Sequence, residues 1–137
     1  MRFTRFALPC LLSVLPLAGG ELPVEAQAKF IKILAISAGS PSRIACHDPA
    51  VMAQLTKMGF THDPAAKVAW AANENEVRTL KAAGRLIICG KLELLMAGGS
   101  AAIVDESGKP SIYLSMLNLS NTGVTLSDAV LKIAKRL

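Results

Sequence analysis

Leu86 to Cys89 form a short apolar run, rich in β-branched residues, that Gly90 closes. A run of this length and composition is typical of a strand buried on both faces of a sheet. The residues that follow have helical spacing, which places Leu92, Leu95 and Met96 on one side of a predicted short helix. The stretch therefore predicts a buried strand followed by a helix.

The end of the chain predicts a hairpin and a closing helix. A second apolar run, 101 to 104, leads into a turn-forming segment with Gly108 and Pro110. Residues 111 to 116 then alternate between polar and apolar, as in a strand with one buried face. A final helix is predicted from about Ser127 to Leu137. Asn118 stands where the alternation ends, and we expect its side chain to bond backbone groups of the following loop.

Strands and helices alternate in the middle of the chain. Further strands are predicted at 43–46 and 67–71, with residues 60–66 as a loop. Asp48 can cap a helix that has Pro49 at its first position, and Asn73 with Glu76 resembles a capping box. Alternation of this kind indicates a mostly parallel sheet. The predicted fold is a small α/β sandwich of two or three layers, with a C-terminal antiparallel hairpin and a closing helix.

The N-terminus predicts export. Arg2 and Arg5 precede an apolar segment that is well short of the roughly 20 apolar residues a membrane span requires. We predict a signal peptide over residues 1–20 and cleavage after Gly20, with cleavage after Ala28 as the competing choice. Residues 21–137 would then form one exported, periplasmic domain with no transmembrane segment.

The charge does not indicate a nucleic-acid partner. The formal net charge is +5, but the basic residues are scattered and aromatic residues make up only 4% of the chain. Nucleic-acid binders usually cluster cations on one face and interleave aromatic side chains for stacking. The excess therefore indicates a solvated surface with a weak attraction to anionic membranes.

Several segments together resemble the YfiR-like periplasmic proteins. That family opens with a helix containing a Q-x-K element, has a strand ending near a Cys or Gly, and closes with a glycine-led hairpin and a last helix. The matching residues are Gln27, Lys29, Cys46, Gly98, Gly99, Asn118, Gly123 and Ser127. This chain departs from the pattern between Met58 and Lys67, where a strand–helix unit is expected to be missing.

The resemblance implies a function without catalysis. YfiR-like proteins are similar to periplasmic repressors that hold an inner-membrane diguanylate cyclase receptor inactive and release it under envelope or redox stress. The partner would be that receptor, the output would be cyclic-di-GMP signalling and biofilm formation, and no cofactor is implied. The chain also lacks the G-x-S-x-G, Walker A and dinucleotide-binding motifs. The alternatives are a small-molecule-binding domain at the carboxyl ends of the strands and, as a weaker rival, a thiol or metal enzyme. A homodimer is left open.

Two cysteines, Cys46 and Cys89, follow the predicted signal peptide. Both end predicted parallel strands and so lie at the same edge of the sheet. In an oxidising compartment they could form a disulfide if register and side-chain direction agree. Alternatively, both are small buried apolar residues.

The tripeptide His-Asp-Pro occurs at His47 and again at His62. With Cys46, these segments offer imidazole, carboxylate and thiol ligands of the kind that bind transition metals. Asp-Pro is also what the start of a helix requires, and the recognised zinc spacings are missing. The histidines are predicted to lie on opposite sides of a helix. We therefore predict no metal site.

Overall fold

The computed structural model describes residues 21–81 and 84–137. The predicted signal peptide and its cleavage after Gly20 lie outside these residues. The helices are α1 (Val24–Ser37), α2 (Pro49–Lys57), α3 (Glu74–Lys81), α4 (Leu94–Ala97), α5 (Met116–Thr122) and α6 (Asp128–Ile133). The strands are β1 (Arg43–Cys46), β2 (Thr61–His62), β3 (Val68–Ala71), β4 (Leu86–Cys89), β5 (Ala101–Glu106), β6 (Lys109–Leu114) and β7 (Lys135–Arg136).

The strands form one sheet in the order β2-β1-β3-β4-β5-β6-β7. All neighbouring pairs are parallel except β5 and β6, which form the antiparallel hairpin. The hairpin loop is two residues long, and both Ser107 (φ 55°) and Gly108 (φ 85°) have positive φ, as the tight turn between twisted strands requires. The predicted α/β fold with a mostly parallel sheet and a C-terminal hairpin is confirmed.

Apolar side chains cover both faces of the sheet. One face packs against α1, α2, α5 and α6, through residues such as Ile31, Leu55 and Val130. The other packs against α3 and α4, through Val77 and Leu95 among others. The described part of the chain is therefore a three-layer sandwich, which settles the choice that the sequence left open. No helix in the described ranges is long and apolar enough to cross a membrane.

The helix starts follow the predicted caps. The Asp48 side chain accepts hydrogen bonds from the backbone N–H groups of Ala50 and Val51, at 3.1 and 3.4 Å, and Pro49 is the first helical residue. At α3, the Asn73 side chain accepts from the Glu76 N–H at 3.0 Å. These side chains satisfy backbone donors that would otherwise have no partner.

Three predictions at the ends of elements are wrong. Residues 60–66 are not only a loop, because β2 forms there and pairs with β1. Between Met58 and Lys67 the structure has only this two-residue edge strand and no helix. The alternating strand ends at Leu114, because Ser115 caps a helix, α5, that the alternation concealed. The closing helix ends at Ile133, and the chain continues as β7 beside β6.

A cluster around Glu106 holds β7 against the hairpin. The Glu106 carboxylate accepts hydrogen bonds from the Ser111 hydroxyl at 3.0 Å, from the Tyr113 hydroxyl, and from the Lys135 ammonium at 2.5 Å. These bonds, that from Lys135 first, lower the pKa of Glu106 from its ordinary 4.5 to about 2. The charged carboxylate therefore stabilises the folded state.

Acid is expected to remove this contribution. The pKa of Glu106 is lower in the folded state, about 2, than its ordinary value of 4.5. The stabilisation by the ionised carboxylate is therefore fully present above about pH 4.5 and is lost as the pH falls towards about 2. Glu106→Gln should therefore lower the melting temperature near neutral pH and have a much smaller effect near pH 2. Thermal unfolding of both proteins across this range measures the difference. An effect of the substitution that does not change with pH would contradict the assignment.

Candidate functional site

Cys46 and Cys89 are both free and buried. Strand β3 lies between β1 and β4, so the two cysteines are two strands apart. In the register of the sheet, Cys46 pairs with Trp70 and Trp70 pairs with Ile88, which puts Cys89 one residue further along and on the opposite face. Cys46 belongs to the α1 side of the core and Cys89 to the α3 side. Of the two alternatives that the sequence left open, the disulfide is not formed, because the two side chains point to opposite faces of the sheet.

Neither thiol is placed to act as a nucleophile. Burial raises the pKa of Cys46 to about 11 and that of Cys89 to about 12, so both are protonated at neutral pH. The Cys46 thiol donates to the Asp48 carbonyl at 3.6 Å, and the Cys89 thiol donates to the Ala101 carbonyl at 3.2 Å. Both behave as small buried core residues.

We expect both thiols to be recovered free. Denaturing the unreduced protein in the presence of an alkylating reagent should label Cys46 and Cys89 completely, because no bridge protects them. The folded protein should react slowly, because both thiols are buried and protonated. Peptide mapping by mass spectrometry identifies the labelled residue. An unlabelled Cys46–Cys89 cross-linked peptide would contradict the structure.

The two histidines lie together, contrary to the prediction that a helix separates them. Because β2 pairs with β1, the rings of His47 and His62 are 5.1 Å apart between centroids, edge to face. His62 Nδ1 accepts a hydrogen bond from the Cys46 backbone N–H at 3.2 Å. The neutral imidazole of His62 has one acceptor nitrogen, Nδ1, and it accepts this hydrogen bond. To bind a metal through Nε2, the ring proton would have to move to Nδ1, and the hydrogen bond from Cys46 would then break. In residues 21–81 and 84–137, no three His, Cys, Asp or Glu side chains are grouped to hold a metal ion.

Gln27 is buried at the carboxyl edge of the sheet, whereas Lys29 of the same motif is exposed. A Cβ at Gly90 would lie 3.0 Å from Gln27 Nε2 and 3.1 Å from Trp70 Cη2. Glycine at this position thus leaves room for the amide and the indole to close the edge of the core. Gln27 has a packing role here, and nothing in its surroundings indicates chemistry.

The glycine pair and Asn118 meet at a corner between α4 and α5. The Asn118 side-chain amide donates to the Leu95 carbonyl at 2.8 Å and to the Gly99 carbonyl at 2.9 Å. These bonds join α5 to the turn that ends α4 at Gly98. The type of interaction predicted for Asn118 is correct, but the segment it bonds precedes the hairpin and does not follow it.

Asn118→Ala is expected to destabilise the corner. The Leu95 carbonyl would keep its bond from the Gly98 N–H at 3.3 Å, whereas the Gly99 carbonyl would lose the Asn118 bond. The usual cost of such a loss is about 1 to 3 kcal/mol. Denaturant unfolding followed by circular dichroism measures it. Asn121→Ala, at an exposed position on the same helix, is the control and should cost far less. Equal losses for the two variants would show that the Asn118 bonds contribute little.

Two further motif residues mark helix ends. Gly123 ends α5 with φ 71°, a conformation that favours glycine. The Ser127 hydroxyl caps α6 by accepting from the Val130 N–H at 3.5 Å. Gly98, Gly99, Asn118, Gly123 and Ser127 therefore shape the segment around α5.

This corner exposes large apolar side chains. Met96 is 93% exposed, Leu117 is 72% exposed and Met116 is 36% exposed. We call these three residues the corner patch. The sequence predicted Met96 to lie with Leu92 and Leu95 on the apolar side of the helix, which is wrong because α4 is only four residues long and its buried residues are Leu94 and Leu95. Exposed methionines are common at surfaces that bind other proteins.

A small basic cleft lies beside the corner patch. It has a volume of about 80 Å³, and Asn118 and Gly98 are part of its lining. The charged residues of the lining are Lys81 and Arg85, and the lining contains no carboxylate. Arg85 also donates to the Pro64 carbonyl at 2.6 Å, which fixes its position. A partner that covers the corner patch would therefore meet positive charge at its margin.

Neither a family model nor a curated protein matches the chain. Solved structures do match in fold. One is a conserved domain protein from Vibrio cholerae, with a TM-score of 0.58 and 15% identity over 83% of this chain. Another is the ABC domain in complex with L-Trp from Streptococcus pneumonia, with a TM-score of 0.58 and 14% identity over 83% of this chain. The chain spans 60% of the length of each. These similarities show a shared α/β fold.

Proposed function

We propose that this protein is an exported periplasmic regulatory module that binds an inner-membrane receptor of a cyclic-di-GMP pathway. The proposal joins the resemblance to YfiR-like proteins with one observation on the structure, the exposed corner patch on a rigid base. Met96 and Leu117 each adjoin a residue of the Asn118 hydrogen-bond network, so their backbone is held in place while the side chains are exposed. Such a surface suits protein binding.

The charge beside the patch indicates the chemistry of the partner. Lys81 and Arg85 border the patch through the adjoining cleft, so the complementary surface is an apolar segment flanked by acidic residues. The extracytoplasmic part of the receptor would supply it. Binding to one conformation of the receptor would shift its population towards the inactive state. The proposal has no role for a Cys46–Cys89 bridge, because the two thiols lie on opposite faces of the sheet.

The test is co-purification with a membrane protein that carries a diguanylate cyclase domain and is encoded beside this chain. The two proteins are co-expressed and isolated in detergent through a tag on the receptor. Met96→Glu and Leu117→Glu should abolish co-purification, because each places a charge in the apolar contact. Lys57→Glu, at an exposed position on α2, is the matched control and should retain binding. Binding that survives both substitutions in the patch would overturn the assignment of the surface.

A second candidate, small-molecule binding at the carboxyl edge of the sheet, has one observation in its favour. The structurally similar ABC domain is described in complex with L-Trp. At the carboxyl edge of the sheet, this chain has an open pocket of about 160 Å³, lined by His47, Asn75, Glu76, Thr79 and Leu80. That volume is below the roughly 300 Å³ at which sites for small molecules begin. Calorimetric titration with L-Trp distinguishes the candidates, and saturable binding that Glu76→Gln removes would favour the second.

A further inference from the structure

A different surface, formed by α1 and α6, combines exposed isoleucines with cations. Ile33 is 42% exposed, Ile36 is 51% exposed and Ile133 is 64% exposed. The helices are joined where α1 ends and α6 begins: the Ser127 N–H donates to the Ser37 hydroxyl at 2.6 Å, and that hydroxyl donates to the Ser127 hydroxyl at 3.0 Å. Ile33 and Ile36 line one open cavity together with Ala129 of α6, and Ile133 follows Ala129 by four residues, which places it on the same side of α6. We call this surface the basic–apolar face and define it as Lys29, Lys32, Ile33, Ile36, Ala129, Lys132, Ile133 and Arg136.

The cations of this face lie beside the isoleucines. Lys29 precedes Ile33 by four residues and Lys32 precedes Ile36 by four, and this spacing places each pair on one side of α1. On α6, Lys132 adjoins Ile133, and both are exposed. Basic and apolar side chains are therefore interleaved on this face, and both types are exposed.

The balance of charge on the face is positive. Arg136 pairs with Leu114 in the sheet, so its side chain is on the side of the sheet that α1 and α6 cover. The nearest carboxylates in sequence are Asp128, in the first turn of α6, and Glu25, in the first turn of α1. Glu25 precedes Lys29 by four residues and so lies on the same side of α1. Four cations, Lys29, Lys32, Lys132 and Arg136, therefore outnumber two carboxylates, Glu25 and Asp128.

We propose that the basic–apolar face docks on the surface of an anionic lipid bilayer. Apolar side chains that enter the interface, with basic residues around them that attract anionic headgroups, are the two features of peripheral membrane binding. A second copy of the chain is disfavoured, because a symmetric contact would bring Lys29, Lys32 and Lys132 of two copies together. A partner helix would need a concave apolar seat, whereas the cavity of about 380 Å³ between α1 and α6 is open to solvent.

This proposal goes beyond the proposed receptor binding and uses other residues. Docking through the basic–apolar face would leave Met96 and Leu117 of the corner patch free for a protein partner. It would also hold the protein at the membrane where an inner-membrane receptor resides. This raises the effective concentration of the protein around the receptor. Failure of lipid binding would not affect the receptor proposal, and the reverse also holds.

Co-sedimentation with vesicles tests the proposal. The purified protein is mixed with vesicles of phosphatidylcholine alone or with added phosphatidylglycerol, at low and at high salt. We expect binding to the anionic vesicles only, and weaker binding at high salt because the attraction is screened. Lys29→Glu with Lys32→Glu should weaken binding about tenfold or more, since two charges reverse sign and the net charge of the contact falls by four units. Ile33→Glu with Ile36→Glu should abolish it.

Matched controls separate this face from the rest of the surface. Met96→Glu with Leu117→Glu introduces the same change at two exposed apolar residues elsewhere, and Lys57→Glu with Lys109→Glu makes the same change of charge as the double lysine variant. Both controls should bind vesicles as the unmodified protein does. All variants are expressed and purified in the same way and differ only at the substituted positions, so differences between them cannot arise from residues 1–20. Circular dichroism confirms that each variant is folded.

Three outcomes would overturn the proposal of membrane docking. They are equal binding to neutral and anionic vesicles, no binding to either, and a loss of binding in the control variants as large as that in the variants of the face. Loss of receptor co-purification in the Ile33→Glu, Ile36→Glu variant without any vesicle binding would assign the face to a protein partner instead.

Discussion

Trp70→Ala is expected to lower the free energy of unfolding by about 3 to 5 kcal/mol, the usual loss for removing a large buried aromatic side chain. The Trp70 side chain is buried, with a residue exposure of 3%, on the α1 side of the sheet. It packs at the carboxyl end of β3, where Gly90 leaves room for its six-membered ring. Tryptophan has the largest side chain of the standard amino acids, so the cavity left by alanine at this buried position would be large.

Trp70→Phe is expected to cost much less, below about 1.5 kcal/mol. In the described part of the chain, Trp70 Nε1 is a buried donor with no hydrogen-bond partner. An unsatisfied buried donor costs about 1 to 3 kcal/mol, and phenylalanine removes that cost while it keeps most of the apolar contact. The gain offsets the loss of ring volume. A cost this small is unusual for the replacement of a buried tryptophan, and it follows from removing the unsatisfied N–H group.

Denaturant unfolding followed by circular dichroism measures both variants on the same scale. Trp70 is the sole tryptophan, so fluorescence cannot follow the variants. The losses in the free energy of unfolding of the two variants are then compared. A small loss for Trp70→Phe with a large loss for Trp70→Ala supports an unsatisfied indole N–H. If phenylalanine costs nearly as much as alanine, the indole N–H has a partner, and a buried water at Trp70 is then the first explanation to examine.

The parallel core could be predicted because its signals are local. The run from Leu86 to Cys89 is apolar throughout, and in the fold all four residues are buried. Asp48 and Pro49 predicted the start of α2 correctly, since a capping residue acts within three residues of itself. A strand that is buried on both faces and a helix start that is capped by a side chain are each determined by a few neighbouring residues. A short stretch of sequence is therefore enough to predict them.

The relations between distant residues could not be predicted in this way. The sequence places Cys46 and Cys89 at strand ends, but the insertion of β3 between their strands depends on strand order, which no local pattern contains. His47 and His62 meet because β2, only two residues long, pairs beside β1. At the corner patch, Met116 continued the alternation of the preceding strand and concealed α5. The cap at Ser115, whose hydroxyl accepts from the Asn118 N–H at 3.3 Å, was the signal that could have revealed it.

The packing of Cys89 leads to the second large effect, at Gly99. A Cβ at Gly99 would lie 2.8 Å from the Cys89 sulfur and 3.1 Å from the Leu94 carbonyl oxygen. Both distances are shorter than ordinary contacts of a methyl group, so Gly99→Ala forces the turn after α4 away from the sheet. We expect a loss of about 2 to 3 kcal/mol, in the range found for overpacked cores.

Cys89→Ala is expected to rescue part of that loss. Removing the sulfur creates space on the side where the new methyl group points, whereas the contact with the Leu94 carbonyl stays because it is made by the backbone. The double variant should therefore be more stable than the sum of the two single losses predicts, by about 1 to 2 kcal/mol. Unfolding of the two single variants and the double variant completes the cycle.

Cys46 provides the matched control for this cycle. It is the same residue type, also buried, but it lies on the opposite face of the sheet from Cys89. Cys46→Ala combined with Gly99→Ala should give additive losses, because the two sites share no contact. Equal rescue by the two cysteine substitutions would contradict the positions of the two sulfur atoms in the structure. Rescue by Cys89→Ala alone would identify Cys89 as a packing residue against Gly99, and would show independently of thiol chemistry that the two cysteines face opposite sides of the sheet.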